Sequence, residues 1–278
     1  MDKNLLYLIL RYKNNQLRIY NSEDTDKLTP QYNTVVISCE AGEQLLKRIN
    51  KPYVTHVRIN IHTSQRPGHI TIIRHTTHLE HISILQHITH LELFKSRNTQ
   101  SRFKHIICLT PLMTLKNLRS LSLNNVTINP KHLAQLTQLE SLECYHVSDL
   151  QLNSLINLKH LRICSGGLYN MSFIKYMPKL QTMDLRHNKI KDLPDMKHMT
   201  NLRKLCLSNN QLTSISALQD VPLLSSLQLD NNEEPLDIRP LRRLTNLKNL
   251  SICQLETNDI ETICQLHQRK CKIQLYFM

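Results

Sequence analysis

The sequence predicts an α/β repeat solenoid, in which short parallel strands stack into a sheet and the segments between them cover its other face. Two observations point to this class. An apolar pattern recurs every 22 residues in the C-terminal half, and within each repeat the apolar spacing changes from every second residue to every third. The composition agrees, because 278 residues with 40% hydrophobic side chains suffice for a substantial core.

The first part of each repeat predicts a strand. Leu205 and Leu207 are separated by one residue, so in a strand both side chains face the same side, while Lys204 and Cys206 face the other. Stacking such units in parallel buries the leucines in a continuous column. The repeats begin at Ile88, Leu118, Leu139, Leu158, Leu180, Leu202, Leu224 and Leu247.

The second part of each repeat predicts a tight 3₁₀ or extended return segment. Leu212, Ile215, Leu218 and Val221 recur every third residue, which suits these conformations better than an α-helix. The first repeat is longer than the others, and we interpret residues 95–102 as an insertion.

Asparagines recur where the chain leaves three of the strands. The amides of Asn188, Asn210 and Asn232 can bond backbone groups that a turn leaves unpaired. Together with the leucine spacing, they resemble the leucine-rich repeat family, specifically the 22-residue class found in the protein phosphatase 1 regulatory subunit and in bacterial internalins. The resemblance implies a horseshoe with a parallel sheet on its concave face and mostly 3₁₀ or extended convex segments.

Three regions of one continuous solenoid are predicted. Residues 1–87 form an N-terminal cap and irregular repeats, residues 88–256 form the regular leucine-rich repeats, and residues 257–278 form a C-terminal cap. The cap is expected to be a helix with Thr257 at its N-cap, followed by a strand over 272–275.

The N-terminal third predicts further strands and one true helix. Val35 and Ile37, like Val57 and Ile59, show the alternating pattern, and Leu17 with Ile19 indicates an earlier strand. The segment 41–50 predicts the helix.

Composition excludes several function classes. Four glycines leave no Gly-rich phosphate loop, and the eight cysteines are scattered singly without a C-x-x-C pair. No secretory or membrane-spanning segment is evident, so we expect no membrane association and a cytoplasmic protein, in its own cell or in a host cell if it is an effector. A net charge of +13 suggests nucleic acid as an alternative partner.

The candidate partner-binding residues occupy the third, fifth and seventh positions of the repeats, which alternate away from the leucines. We call the sheet face that they share the concave face. Aromatic and arginine side chains there are typical of interface hot spots, although the arginines also have acidic neighbours with which to pair. The candidates are His90, Glu92, Phe94, Glu143, Tyr145, His160, Arg162, Asp184, Arg186, Lys204, Cys206, Gln228 and Asp230.

Eight of the fifteen histidines fall between His56 and His90, which raises a metal site or a pH switch. Several of them directly precede core positions, as His78 precedes Leu79, and no carboxylate or cysteine completes a zinc spacing. We therefore expect no metal and no cofactor.

The sequence favours a non-catalytic protein-interaction module, acting as a monomer, that docks one protein partner on the concave face. No nucleophile, base or carboxylate pair forms a catalytic constellation. Two alternatives stay open, namely an RNA- or DNA-associated adaptor that uses the basic surface, and a specificity or regulatory subunit of a separate phosphatase or ubiquitin ligase.

Overall fold

The strands of the N-terminal part pair in parallel, each with the next one along the sheet, as the repeat pattern predicts. The computed structural model describes residues 16–19, 34–37, 47, 50, 56–60, 82–94, 106–147, 150–232, 236–253 and 259–276. Two compact units form, Met1–Leu139 and Glu140–Met278, and we call them the first and second units. The division into 1–87, 88–256 and 257–278 stays a prediction.

The first unit contains the three strands expected in the N-terminal third. Its sheet pairs β1 with β2, β2 with β3, β3 with β4 and β4 with β6, and β5 with β7 forms a separate pair. The strands are β1 (Gln16–Ile19), β2 (Thr34–Ile37), β3 (His56–Asn60), β4 (His90–Phe94), β5 (Ile106–Ile107), β6 (Ser120–Asn124) and β7 (Thr127–Ile128).

The second unit has the same arrangement, and every strand pairs in parallel with the next along the chain. Equivalent positions of successive repeats therefore lie side by side across the sheet. The strands are β8 (Ser141–Tyr145), β9 (His160–Cys164), β10 (Thr182–Asp184), β11 (Lys204–Cys206), β12 (Ser226–Gln228), β13 (Asn249–Cys253) and β14 (Lys272–Tyr276).

The alternating leucines form the core, which confirms the predicted strand register. Leu205 is 2% exposed and Leu207 is fully buried, whereas Lys204 is exposed. The corresponding pairs in neighbouring repeats, such as Met183 with Leu185, are equally buried. Each pair packs against the same pair of the next strand, so the core is a continuous apolar column.

Return segments with the predicted 3₁₀ conformation occur. Leu112 donates its N–H to the carbonyl of Leu109, Leu115 to that of Leu112 and Leu118 to that of Leu115, so the three-residue period is also a hydrogen-bonding period. Short 3₁₀ helices span Ile82–Ile84, Thr110–Thr114, Ser172–Tyr176, Ser216–Asp220 and Arg239–Arg243.

Three described return segments contain no 3₁₀ helix. Those over 150–158 and 191–200 have no helix, and the one that follows β7 forms a single α-helical turn, α1 (Pro130–Leu133). The sequence analysis did not predict α1. Asn129 begins it, because its side-chain oxygen accepts the N–H of Lys131 at 3.0 Å.

The recurring asparagines bond the backbone as predicted. Nδ2 of Asn210 donates to the carbonyls of Leu185 and Leu207 at 3.0 and 2.9 Å, and Oδ1 accepts the N–H of Ile190 at 3.1 Å. The side chain is 5% exposed, so it satisfies groups that water does not reach. Asn188 and Asn232 make the same kinds of bond, each to its own repeat and to the preceding one.

Glycine replaces asparagine at this position in one repeat because there is no room for a side chain. A Cβ at Gly166 would lie 2.8 Å from Cγ2 of Ile163 and 2.9 Å from the carbonyl oxygen of Val147. The N–H of Gly166 instead donates to Oδ1 of Asn188 at 3.1 Å. Asn188 of the following repeat thus also stabilises the turn at Gly166, which has no asparagine of its own.

The chain takes a left-handed backbone conformation immediately after the seventh position of six repeats, which the sequence analysis did not anticipate. The φ angle of His187 is 57° and that of Asn209 is 56°. Asparagine tolerates this region better than most residues do. The residues concerned are Asn125, His146, Ser165, His187, Asn209 and Asn231.

A helix and a strand follow β13, as predicted for the C-terminal cap. Helix α2 (Ile260–Gln268) begins after Asp259, and β14 pairs in parallel with β13. Nε of Arg242 donates to the hydroxyl of Thr262, which is fully buried, at 2.8 Å. Arg242 therefore ties the last return segment to the cap instead of belonging to a solvated basic face.

Some expectations concern residues outside the described ranges. These are Thr257, the insertion at 95–102 and most of the segment 41–50, of which Lys47 is helical. Asp259, and not Thr257, occupies the N-cap position of α2.

Candidate functional site

The concave face of the second unit contains a shallow groove of about 250 Å³ across β8 to β12. Because the pairing is parallel and in register, the third and fifth positions of successive repeats form two rows across it. Strand residues whose side chains point into the core, such as Leu161 and Leu205, also line it. Eight predicted site residues line it, Glu143, His160, Arg162, Asp184, Arg186, Lys204, Cys206 and Gln228.

Arg162 is the centre of a charged network along the fifth-position row. Its Nε donates to Oδ2 of Asp184 at 3.2 Å, and its Nη1 lies 3.5 Å from Oε1 of Glu143. Nη1 also donates to the hydroxyl of Tyr145 at 2.9 Å. A single guanidinium thus joins three strands, β8, β9 and β10.

Asp184 holds a second arginine. Nε of Arg186 donates to Oδ1 of Asp184 at 2.9 Å, and Nη2 of Arg186 lies 2.9 Å from Oδ2. This two-point contact raises the pKa of the Arg186 guanidinium, so the group stays charged. The side chain of Asp184 is only 14% exposed, whereas Arg162 and Arg186 are 42% and 43% exposed. The carboxylate is therefore largely covered, whereas both arginine side chains are exposed to solvent.

Tyr145 adds an aromatic ring to this network. Burial raises the pKa of its phenol, and the hydrogen bond from Arg162 opposes that rise. The ring is half-buried, next to Glu143 and Arg162. Aromatic and arginine side chains held in this way are typical of interface hot spots.

The third-position row is more exposed and carries hydroxyl groups between its basic residues. Nδ1 of His160 lies 2.9 Å from the hydroxyl oxygen of Thr182, and Lys204 is exposed on the next strand. Ser141, Thr182 and Ser226, which occupy the same third-position column, also line the groove.

Cys206 lies in the wall of the groove but offers little accessible surface. It is 7% exposed, and burial raises the pKa of its thiol. It faces the groove on the same side of the sheet as Lys204, but only a small part of it is exposed to solvent. Cys164, also buried, has a thiol whose pKa is raised to about 11 by burial and by Asp184. Neither thiol is activated as a nucleophile.

Asp230 belongs to a separate cluster at one end of the strands. Ser251 donates its hydroxyl to the carboxylate of Asp230 at 2.8 Å, and Ser208 donates its hydroxyl to it at 3.2 Å. Oδ1 of Asp230 also lies 4.0 Å from Sγ of Cys253. Its acceptor capacity is thus largely used within the protein.

The remaining predicted site residues lie in the first unit. His90 is exposed at the start of β4, its Nδ1 lies 2.7 Å from the Thr89 hydroxyl oxygen, and burial of part of the ring lowers its pKa. Glu92 and Phe94 follow it on the same strand and are half-buried.

Within the described ranges, no group of three His, Cys, Asp or Glu side chains is arranged to hold a metal ion. Most of the histidine-rich segment lies outside those ranges. The described residues also include no helix long and apolar enough to cross a membrane.

Comparisons with known proteins identify the repeat. Residues 178–219 match the family model described as leucine rich repeats, in two copies. No curated protein matches the sequence.

Several solved structures have the same fold. An internalin of Listeria monocytogenes is 17% identical with a TM-score of 0.59, and the match covers 94% of this chain and 85% of the internalin. A leucine-rich repeat protein of Leptospira interrogans is 19% identical with a TM-score of 0.61, covering 90% of this chain and 61% of that one. The Toll–Spätzle complex of Drosophila contains a match of 19% identity and TM-score 0.59, covering 84% of this chain and 33% of that one.

Proposed function

We propose that this leucine-rich repeat protein is a non-catalytic interaction module that binds a protein partner on the concave face of its second unit. The leucine-rich repeat fold is typical of protein–protein interaction modules, and proteins with it are generally non-catalytic. The observation that carries the proposal is the network in which Asp184 holds Arg162 and Arg186 beside Tyr145.

The network supports binding because its side chains are ordered in advance. A flexible arginine loses conformational entropy when a partner immobilises it, and that loss opposes association. Asp184 has already restricted both arginines, so less of the cost remains to be met on binding. Both guanidinium groups are still more than two-fifths exposed, so a partner can reach them.

The charge distribution supports a protein partner over nucleic acid. A nucleic acid backbone favours a continuous basic surface with aromatic rings between the charges. In the groove, Glu143 and Asp184 flank Arg162 along the fifth-position row, so the basic surface there is interrupted by acidic side chains. In the return segment Arg239–Arg243, Arg239 pairs with Asp237 at 2.7 Å and Arg242 pairs with Glu261 of α2 at 2.9 Å, which partly neutralises these two arginines.

Affinity capture with matched variants tests this proposal. The double variant Tyr145→Ala/Arg162→Ala removes the aromatic ring and the central guanidinium of the network. Tyr169→Ala/Arg239→Ala is the control, because it removes the same two residue types from exposed return positions of the same unit. Partner recovery from native cells is measured by quantitative mass spectrometry, with far-ultraviolet circular dichroism to establish that each variant is folded.

We expect the wild type and the control to recover one stoichiometric protein, and the concave variant to recover it at least about tenfold less well. Substitutions across all three concave rows that leave capture intact would refute the proposal.

A further inference from the structure

The basic and acidic side chains of the groove differ in how far they are already neutralised. Asp184 is bonded to two arginines, and Glu143 pairs with Arg162. The ammonium of Lys204, in contrast, is exposed and has no partner among the described residues. The charge in the groove that is not paired within the protein is therefore positive, and it favours an anionic ligand.

Arg186 also has hydrogen-bond donors that are not used within the described part of the chain, and they too favour an anion. It contacts Asp184 through Nε and Nη2, and within the described part of the chain its Nη1 takes part in no hydrogen bond. A guanidinium has five N–H donors, so the Nη1 donors remain for a second acceptor. Because Asp184 already orients the group, a second carboxylate would meet a preordered donor.

Lys204 and Arg186 are separated along the strand direction. Lys204 pairs with Thr182 across the sheet, and Arg186 lies four residues beyond Thr182. Four residues of extended chain span about 13 Å. The Arg186 guanidinium reaches back to Asp184, so the two cations are closer than this. An extended peptide that runs parallel to the strands has every second side chain on one face, and two of these side chains would lie near the two cations.

The row that contains Lys204 has no acidic side chain within the groove. Its other members are Ser141, His160, Thr182 and Ser226, which are neutral hydroxyls and an imidazole. Hydroxyls of this kind accept and donate hydrogen bonds to a peptide backbone or to a carboxylate. This side of the groove thus presents no charge that would repel an acidic segment.

We propose that the groove of the second unit binds an extended acidic segment of its protein partner, with one carboxylate on Lys204 and another on the exposed edge of Arg186. The proposal rests on the function proposed above and specifies the chemistry of the partner. Glu143 and Asp184 disfavour a polyanionic backbone, which would place a phosphate near every position, but they tolerate two separated carboxylates.

Fluorescence anisotropy with defined probes tests the assignment on the full chain. The first probe is a fluorescein-labelled 12-residue peptide of alternating Glu and Ser, whose carboxylates share one face when it is extended. The second is the same peptide with Gln in place of Glu. A 12-nucleotide oligouridylate and phosphatidylserine vesicles represent the other anionic occupants.

We expect saturable binding of the Glu/Ser peptide at low salt, and binding of the Gln/Ser peptide weaker by at least about tenfold. Lys204→Gln and Arg186→Gln should each weaken the Glu/Ser peptide roughly twofold to fivefold. Lys191→Gln removes the same charge from an exposed return position of the same unit and should leave binding unchanged.

Three results would overturn the assignment. The first is no saturable binding of the Glu/Ser peptide. The second is equal weakening by Lys191→Gln, which would indicate attraction to the whole basic protein. The third is tighter binding of the oligouridylate or the vesicles with the same dependence on Arg186 and Lys204.

Failure of this inference is distinguishable from failure of the proposed function. If Tyr145→Ala/Arg162→Ala abolishes capture of the native partner while Lys204→Gln and Arg186→Gln have no effect on that capture or on the peptide, only the acidic assignment is wrong. If the first variant has no effect either, the interaction surface itself is wrong.

Discussion

Arg162 and Asp184 lie opposite each other on neighbouring parallel strands, and Nε of Arg162 donates to Oδ2 of Asp184 at 3.2 Å. The same carboxylate accepts from Nε of Arg186. One largely covered carboxylate therefore positions two exposed guanidinium groups. The charges of the groove are thus oriented by one another and are not independent.

Asp184→Asn should disorder both arginines, because an amide keeps the size of the carboxylate but loses its charge. Since the arginines are more than two-fifths exposed, we expect a loss of only about 1 kcal/mol in the free energy of unfolding by urea. The affinity for the partner should fall by a larger factor than this change in stability corresponds to. Asp195→Asn, at a solvated pair with Lys197, is the control and should change neither quantity. Equal behaviour of the two variants would contradict the anchoring role.

Asn210→Ala should destabilise the second unit by about 1 to 3 kcal/mol, because it leaves buried carbonyls of Leu185 and Leu207 and the N–H of Ile190 without their partner. Urea unfolding measures the change. Asn201→Ala removes one exposed bond, to the carbonyl of Pro178, and should cost far less. Similar losses for the two variants would show that the hydrogen bonds of Asn210 to the backbone do not stabilise the fold.

His187 tests the left-handed turn. Its φ is 57° and its side chain is exposed, so the backbone conformation is the main determinant of how a substitution at this site changes stability. His187→Val should cost about 1 to 2 kcal/mol, since a β-branched side chain is strained there, whereas His187→Gly should be tolerated or slightly stabilising. Thermal unfolding of both variants provides the comparison, and a glycine variant less stable than the valine variant would exclude this explanation.

Cys164 should resist alkylation and should contribute a pH-dependent stability. Burial, with the charge of Asp184, raises the pKa of its thiol from 9.0 to about 11, so the neutral thiol is favoured in the folded state. The contribution is complete below the unfolded pKa near 9 and is lost as the pH rises toward 11.

Two measurements check the Cys164 prediction. At pH 8, iodoacetamide should modify the exposed Cys264 well before Cys164. The difference in unfolding free energy between wild type and Cys164→Ala should be constant up to pH 9 and should then shift against the wild type. Rapid modification of Cys164 at pH 8 would show that its thiol is neither buried nor suppressed.

The strands and the core could be predicted because a repeated pattern averages out local ambiguity. One alternating pair such as Leu205 and Leu207 is weak evidence, but the same pair at equivalent places in neighbouring repeats fixes the register. The hydrogen bonding of Asn210 to the backbone was predicted for the same reason. Pairing of the arginines with Glu143 and Asp184 was raised only as the alternative to a binding role.

Other features depend on local geometry that periodicity does not describe. Cys206 has the outward position but is covered, because a short side chain between larger neighbours does not reach solvent. The left-handed turns were missed although Asn209 and Asn231 occupy equivalent columns, because histidine and serine fill that column elsewhere. Helix α1 depends on the cap that Asn129 provides, which is a signal within one repeat.

Site-specific photo-crosslinking tests the central claim, that the concave face of the second unit is the binding surface, most directly. A benzophenone amino acid is placed at Gln228, which is exposed in the groove, or at Gln219, which is exposed in the 3₁₀ helix Ser216–Asp220 of the return segment that precedes β12. Irradiation in native cells should yield one discrete protein adduct from the Gln228 position and none from the Gln219 position. An adduct of equal yield at Gln219, or at Gln219 alone, would contradict the account.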